Sequence, residues 1–217
     1  MEHYVYNLLR PSIPSWAMEW GFLAEFSLLG WCKRGPDNLL ELTRCGPFSP
    51  PVMLPESDMG RMIWEVIVTD DFKQLLANSG LTGFTFRPVI KRHIIAMQWE
   101  NWVLTATEPP EPIDVDLENV PAYFLSLPHS PETAEQMGQL WEVSLTEHAR
   151  WKWHAGIIEW DGTDWFRVKD PRWDTDYIFV SERAKTWLQE TIAEWVTFTP
   201  HRLVDADTNN EVTAPNA

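Results

Sequence analysis

The chain has 217 residues, 44% of them hydrophobic, and its thirty-two acidic against seventeen basic side chains give a formal charge of −15. That length fits one large domain or two small ones with a substantial buried core. Such a field repels phosphates and anionic lipid surfaces, so it argues against nucleic-acid and membrane partners and for a cationic protein partner.

The apolar stretches are too short and interrupted for a transmembrane span, and Met1–Asn7 lacks the basic and apolar regions of a signal peptide. Cytoplasmic residence is the expectation. Cys32 and Cys45 are too few for a disulfide framework, and their spacing matches no zinc site. Fourteen tryptophans are unusual, and eight of them follow residue 140. Rings of this kind serve either as core or as interface anchors.

In chain order, Tyr4–Leu9 reads as a strand and Leu39–Thr43 as a short one, and the proline-rich run after Cys45 reads as an extended loop. Trp64–Val68 has the β-branched content of a buried strand. Thr69 is placed as an N-cap, with Asp70 and Asp71 in the first helical turn, where carboxylates complement the helix dipole. Phe72, Leu75, Leu76 and Ser79 share one helix face, and Gly80 supplies the stop. Strands follow at Phe84–Phe86 and from Val89 to Trp99. Residues 107–119 hold five acids, three prolines and no base, which predicts a linker or long surface loop. Ser130 followed by Pro131 opens a short helix. Gly156–Trp160 and Trp165–Val168 flank Asp161-Gly162 and predict a β-hairpin. Tyr177–Val180 is a strand, Ser181 a cap, and Trp187 and Leu188 the buried face of the next helix. Residues 204–217 are expected to be a disordered tail.

The segment from Val68 to Pro88 recurs, without a gap, from Val180 to Pro200, a constant offset of 112. Val68/Val180, Lys73/Lys185, Leu76/Leu188, Thr85/Thr197, Phe86/Phe198 and Pro88/Pro200 are identical, and Thr69/Ser181 and Asp70/Glu182 are conservative. An internal repeat points to two related units. The expected fold is therefore α+β, with two related strand–helix–strand halves, antiparallel sheet and a few short helices. The halves span 1–106 and 120–203 on either side of the 107–119 linker. Shared positions are mostly caps and apolar residues. Differing ones, such as Asp71 against Arg183, Gln74 against Thr186 and Asn78 against Glu190, read as exposed.

Chemistry is harder to find. The chain has no glycine-rich phosphate loop, no Gly-x-Ser-x-Gly elbow and no His-Glu-x-x-His. Neither cysteine has the local context of a nucleophile. His148 and His154 would share a strand face, but no third metal ligand is nominated. Acids cluster from Glu159 to Asp176, interleaved with Trp160, Trp165 and Trp173. Turn-forming aspartates explain such a cluster as a solvated face; aromatic anchors within charge also describe a binding rim.

The repeat's pattern of strand, Ser/Thr-Asp/Glu, helix and Gly-Leu-Thr-Gly-Phe-x-Phe-x-Pro-Val resembles small immunity proteins of bacterial polymorphic-toxin systems. The similar groups are the Imm11/Imm43-like proteins and the related Myxococcus double-CxxCG proteins, matched over roughly 64–90 and 165–200. The paired CxxCG motifs of the latter are absent, because Cys32 and Cys45 are single. The resemblance implies an antitoxin that binds and blocks a cognate effector. The acidic balance independently points to a basic one, and no catalytic role, cofactor or metal is expected. Asp161, Asp164, Trp165, Asp170, Trp173 and Asp174 are the expected toxin-interface residues, carried on turns of a rigid scaffold. The alternative is an enzyme or a small-molecule or metal binder using the 159–176 acids with His148 or His154. A third is an assembly subunit whose aromatic residues form a homodimer interface.

Overall fold

The computed structural model describes residues 4–9, 30–57, 63–97, 125–147, 149–152, 156–170 and 175–204. The chain begins with β1 (Tyr4–Leu9), β2 (Trp31–Arg34), β3 (Leu40–Gly46), β4 (Val52–Met53), β5 (Glu56–Ser57), β6 (Ile63–Trp64) and β7 (Ile67–Thr69). Helix α1 (Asp70–Ala77) follows, then β8 (Phe84–Pro88), β9 (Ile90–Ala96) and helix α2 (Pro131–Gln136). The rest comprises β10 (Leu140–Leu145), β11 (Arg150–Lys152), β12 (Gly156–Ile158), β13 (Trp165–Asp170), β14 (Thr175–Val180), helix α3 (Glu182–Ile192), a 3-10 turn (Ala193–Trp195) and β15 (Thr197–Arg202). This is an α+β fold of several largely antiparallel sheets with no closed barrel among the described residues.

Both repeat copies fold as a split strand–helix–strand unit whose two strands are held apart by a third, antiparallel one. In the first unit the sheet order is β4-β7-β10-β8, and in the second it is β13-β14-β1-β15. The separating strands are exchanged along the chain. β10, from the C-terminal half, completes the first sheet, and β1, from the N-terminus, completes the second. Their registers correspond residue for residue: Trp141 faces Val68 and Pro88, and Tyr6 faces Val180 and Pro200. One core spans the two units, with Val68, Phe72, Leu76 and Val143 packing with Leu8, Val180, Ala184 and Leu188. Burying both amphipathic helices against a common interior supplies the main driving force for joining the units.

Local sequence explains the helices. The Thr69 hydroxyl accepts the Phe72 N–H at 3.4 Å, that of Ser130 accepts from Thr133 at 3.2 Å, and that of Ser181 accepts from Ala184 at 3.1 Å. Helix α1 ends before Gly80, whose φ of 73° is the left-handed conformation glycine adopts without strain. Ile192 stands at the equivalent place in the second unit, and there α3 runs on into the 3-10 turn. Gly83, at φ 98°, lies so close to Trp165 that a Cβ would sit 2.1 Å from the Trp165 carbonyl oxygen. The equivalent position is Trp195, one turn beyond α3.

A five-stranded sheet, β6-β5-β2-β3-β9, and a two-stranded one, β11-β12, complete the fold. Cys32 and Cys45 are buried in the former.

Several sequence expectations are corrected. Gly156–Val168 is not a hairpin: β12 pairs with β11, and β13 pairs with β14. The Asp161-Gly162 turn is real, with Asp161 Oδ1 accepting the Thr163 N–H at 3.0 Å, but the strands it joins have other partners. The loop after Cys45 contains β4, which is buried and pairs with β7. The Trp64–Val68 strand is interrupted at Glu65 and Val66. Leu75 is 53% exposed rather than part of the buried face of α1. The 107–119 linker and the tail beyond residue 204 lie outside the described residues.

Candidate interaction groove

Three polar arrangements stand out, and their burial separates framework from surface. The first is a network of charges where β2, the residues just before β7, β10, β13 and β14 converge. Glu142 is fully buried on β10 and accepts two hydrogen bonds from Arg34, at 2.7 and 3.0 Å. Glu65, also buried, accepts from Arg34 at 3.0 Å and from Arg167 at 2.5 Å, while Arg167 also lies 3.8 Å from Asp176. Each carboxylate is answered by at least one guanidinium, which is the condition for burying charge without a large penalty. The network ties three sheets together.

The second lies where the first turn of α3 meets the residues following α1. The Asp164 carboxylate, 3% exposed, accepts from the Thr82 N–H at 2.9 Å, the Thr82 hydroxyl at 3.0 Å and the Ser181 hydroxyl at 2.7 Å. Arg183 closes over it, donating Nε at 3.1 Å and a second N–H, and also reaches the Gly80 carbonyl at 3.3 Å. Burial alone would raise this carboxyl, but the hydrogen bonds from Arg183, Ser181 and Thr82 outweigh it and hold it below the ordinary carboxylate value. This junction is sealed.

The third is the counterpart junction, where the first turn of α1 meets the last turn of α3. It is an open groove of about 740 Å³, also bordered by the Pro47–Pro51 segment and the end of α2. Asp70, Asp71 and Glu194 line it, and among the described residues no Lys, Arg or His does. Phe48 (40% exposed) and Leu75 supply apolar surface, and the Phe48 and Trp195 rings lie 6.1 Å apart. Among the described residues, Arg44 and Lys91 bond to lining residues without lining the groove themselves: Arg44 donates to the Ser49 hydroxyl at 2.8 Å, and Lys91 to the Gly138 carbonyl at 2.7 Å. Lys91 is lowered from the usual lysine value by burial.

Both units share a smaller device that accounts for the repeat's polar identities. Asp70 accepts the Trp141 indole N–H at 2.7 Å, and Lys73 Nζ lies 3.3 Å from that ring's centre. In the second unit Tyr6 takes the place of Trp141. The Tyr6 hydroxyl is hydrogen-bonded to Glu182, which is the main reason its pKa is raised, and Lys185 Nζ lies 4.1 Å from its ring. Acid, aromatic ring and lysine thus lock each helix to its inserted strand through a hydrogen bond and a cation–π contact.

The sequence-nominated rim is not one surface. Asp161 is exposed, but Asp164 serves the sealed junction, and Trp165 (0% exposed) and Asp170 (1% exposed) are interior on β13. The pleat of a strand covered on both sides turns these side chains inward. Trp173, Asp174, His148 and His154 lie outside the described residues. Among the described residues no group of three or more His, Cys, Asp or Glu is placed to hold a metal ion, and no helix is long and apolar enough to cross a membrane. The groove residues Phe48, Asp71, Leu75, Glu194 and Trp195 went unnominated. A usable signal lay in the repeat itself, at the positions where Asp71 opposes Arg183 and Trp195 opposes Gly83.

No protein-family model matches the chain, and neither a curated protein nor a solved structure shows detectable similarity to it.

Proposed function

We propose that this chain is an immunity protein that binds a cognate bacterial toxin in the cytoplasm and inhibits it without catalysis. The observation that carries this reading is the groove, an open concavity with three carboxylates, exposed apolar side chains and, among the described residues, no basic one in its lining. Within a −15 chain, such a groove favours a basic protein partner and repels nucleic acid. The long-range field accelerates encounter, and the apolar residues slow departure. Docking there places the bulk of the chain over the partner's face and excludes its substrate. The contact surface is thus the groove rather than the Glu159–Asp176 segment.

Co-expression with the product of the adjacent reading frame tests this. Rescue of growth, with a complex that survives moderate salt, is the expected result. Undiminished toxicity with no complex contradicts it.

A further inference from the structure

The groove contains an incomplete copy of a device the chain builds twice elsewhere. Asp70 holds the Trp141 indole and Lys73 covers the ring; Glu182 holds the Tyr6 hydroxyl and Lys185 covers the ring. In the groove, Glu194 accepts the Trp195 indole N–H at 3.0 Å, but among the described residues no cation lies over the Trp195 ring. The acid and the aromatic ring are present; the cation is not supplied by the described chain. We infer that the partner supplies it: the groove receives an arginine or lysine side chain, its stem along Leu75 and Phe48 and its charge over Trp195, between Asp71 and Glu194. This rests on the proposed binding of a basic effector and specifies which part of that partner enters.

Three physical arguments support this occupant. A cation over tryptophan gains from the ring quadrupole, most of all when partly desolvated. Long basic side chains bury their methylene stems on apolar surface while keeping the charge solvated or paired. A concavity of about 740 Å³ falls within the range that encloses drug-sized ligands, so neighbouring residues of a peptide segment fit beside the anchor. The symmetry-related junction gives an internal precedent. There Arg183 of the chain itself covers the acid, Asp164.

The test uses the full chain and two short amidated peptides, one alternating arginine with leucine and one with citrulline in place of arginine. The arginine peptide is expected to bind and to shift the Trp195 indole N–H resonance, while the citrulline peptide leaves that resonance in place. The Asp71→Asn/Glu194→Gln double variant is expected to weaken arginine-peptide binding about tenfold or more, the effect of about 1.4 kcal/mol. Equal binding by the double variant, or an unmoved Trp195 resonance, overturns the inference. Toxin protection that persists in the double variant also overturns the groove occupant while leaving the inhibitory role standing. Peptide binding by a chain that gives no protection sinks the inhibitory role and spares the groove.

Discussion

The two helix junctions are built from the same repeated sequence and have opposite characters. Where α3 begins, Arg183 and Ser181 converge with Thr82 on the buried Asp164 and cover its carboxylate. Where α1 begins, Asp71 stands at the position of Arg183, Trp195 at that of Gly83, and a groove remains. Three of the repeat's polar positions, the caps, the first-turn acids and the lysines, do the same job in both units. A small number of unequal positions decides which junction is framework and which is surface. The repeated positions thus form the frame, and the unequal ones at its ends form the groove.

The inserted strands diverge too, and the largest expected effect lies there. Glu142 on β10 corresponds to Asn7 on β1 and is fully buried between arginines. Glu142→Ala should cost about 3 kcal/mol or more in urea unfolding, because Arg34 loses two charge-assisted hydrogen bonds and keeps only its contact with Glu65. Asn7→Ala should cost less, about 1 kcal/mol at most, because Asn7 is buried but joins no charged network among the described residues. Equal losses would mean that the network is not holding the sheets together.

At the sealed junction Asp164→Asn should lose about 2–3 kcal/mol, since a charged acceptor of several hydrogen bonds becomes neutral. Its pH dependence has a definite sign. The folded-state pKa is depressed, so the contribution is fully present above the unfolded carboxylate value of about 4 and is lost as pH falls through the folded value. Acid unfolding of Asp164→Asn should accordingly be less steep below about pH 4 than that of the parent chain. Parallel acid limbs would contradict the account.

The caps give a smaller contrast. Thr69→Ala should cost about 1 kcal/mol. Ser181→Ala should cost more, about 2 kcal/mol, because its hydroxyl also donates to Asp164. The lysine contacts should be the smallest and the most alike, with Lys73→Met and Lys185→Met each losing about 0.5–1 kcal/mol in thermal unfolding. A large difference between the two would break the correspondence of the units.

Much of the frame was legible because it is local. The caps at Thr69, Ser130 and Ser181, the stop at Gly80, and the two strand–helix–strand units follow from residues within a few positions of one another. The exchange of β1 and β10 was not legible, because strand pairing between residues so far apart leaves no local signature. The hairpin at Asp161-Gly162 was misread for the same reason. Its turn chemistry is present, yet β11 and β14 pair with the flanking strands instead. Asp164 looked like one more turn aspartate, and only the donors from Thr82, Ser181 and Arg183 explain its burial. The groove draws on four chain segments that meet only in the folded protein. What betrayed it in sequence was divergence between the copies at Asp71 and Trp195.

In the proposed complex the α1 junction, and not the general acidity of the chain, holds the basic partner. Asp71→Lys and Glu190→Lys change the net charge equally, and both residues are exposed, one at the groove and one on the corresponding helix outside it. Titration of each variant with the adjacent-frame product separates the two causes. Asp71→Lys should lose about a hundredfold or more in affinity, the scale of a like-charge clash at an interface, and Glu190→Lys about threefold or less, the scale of weakened long-range attraction. Equal losses from the two variants would contradict that placement.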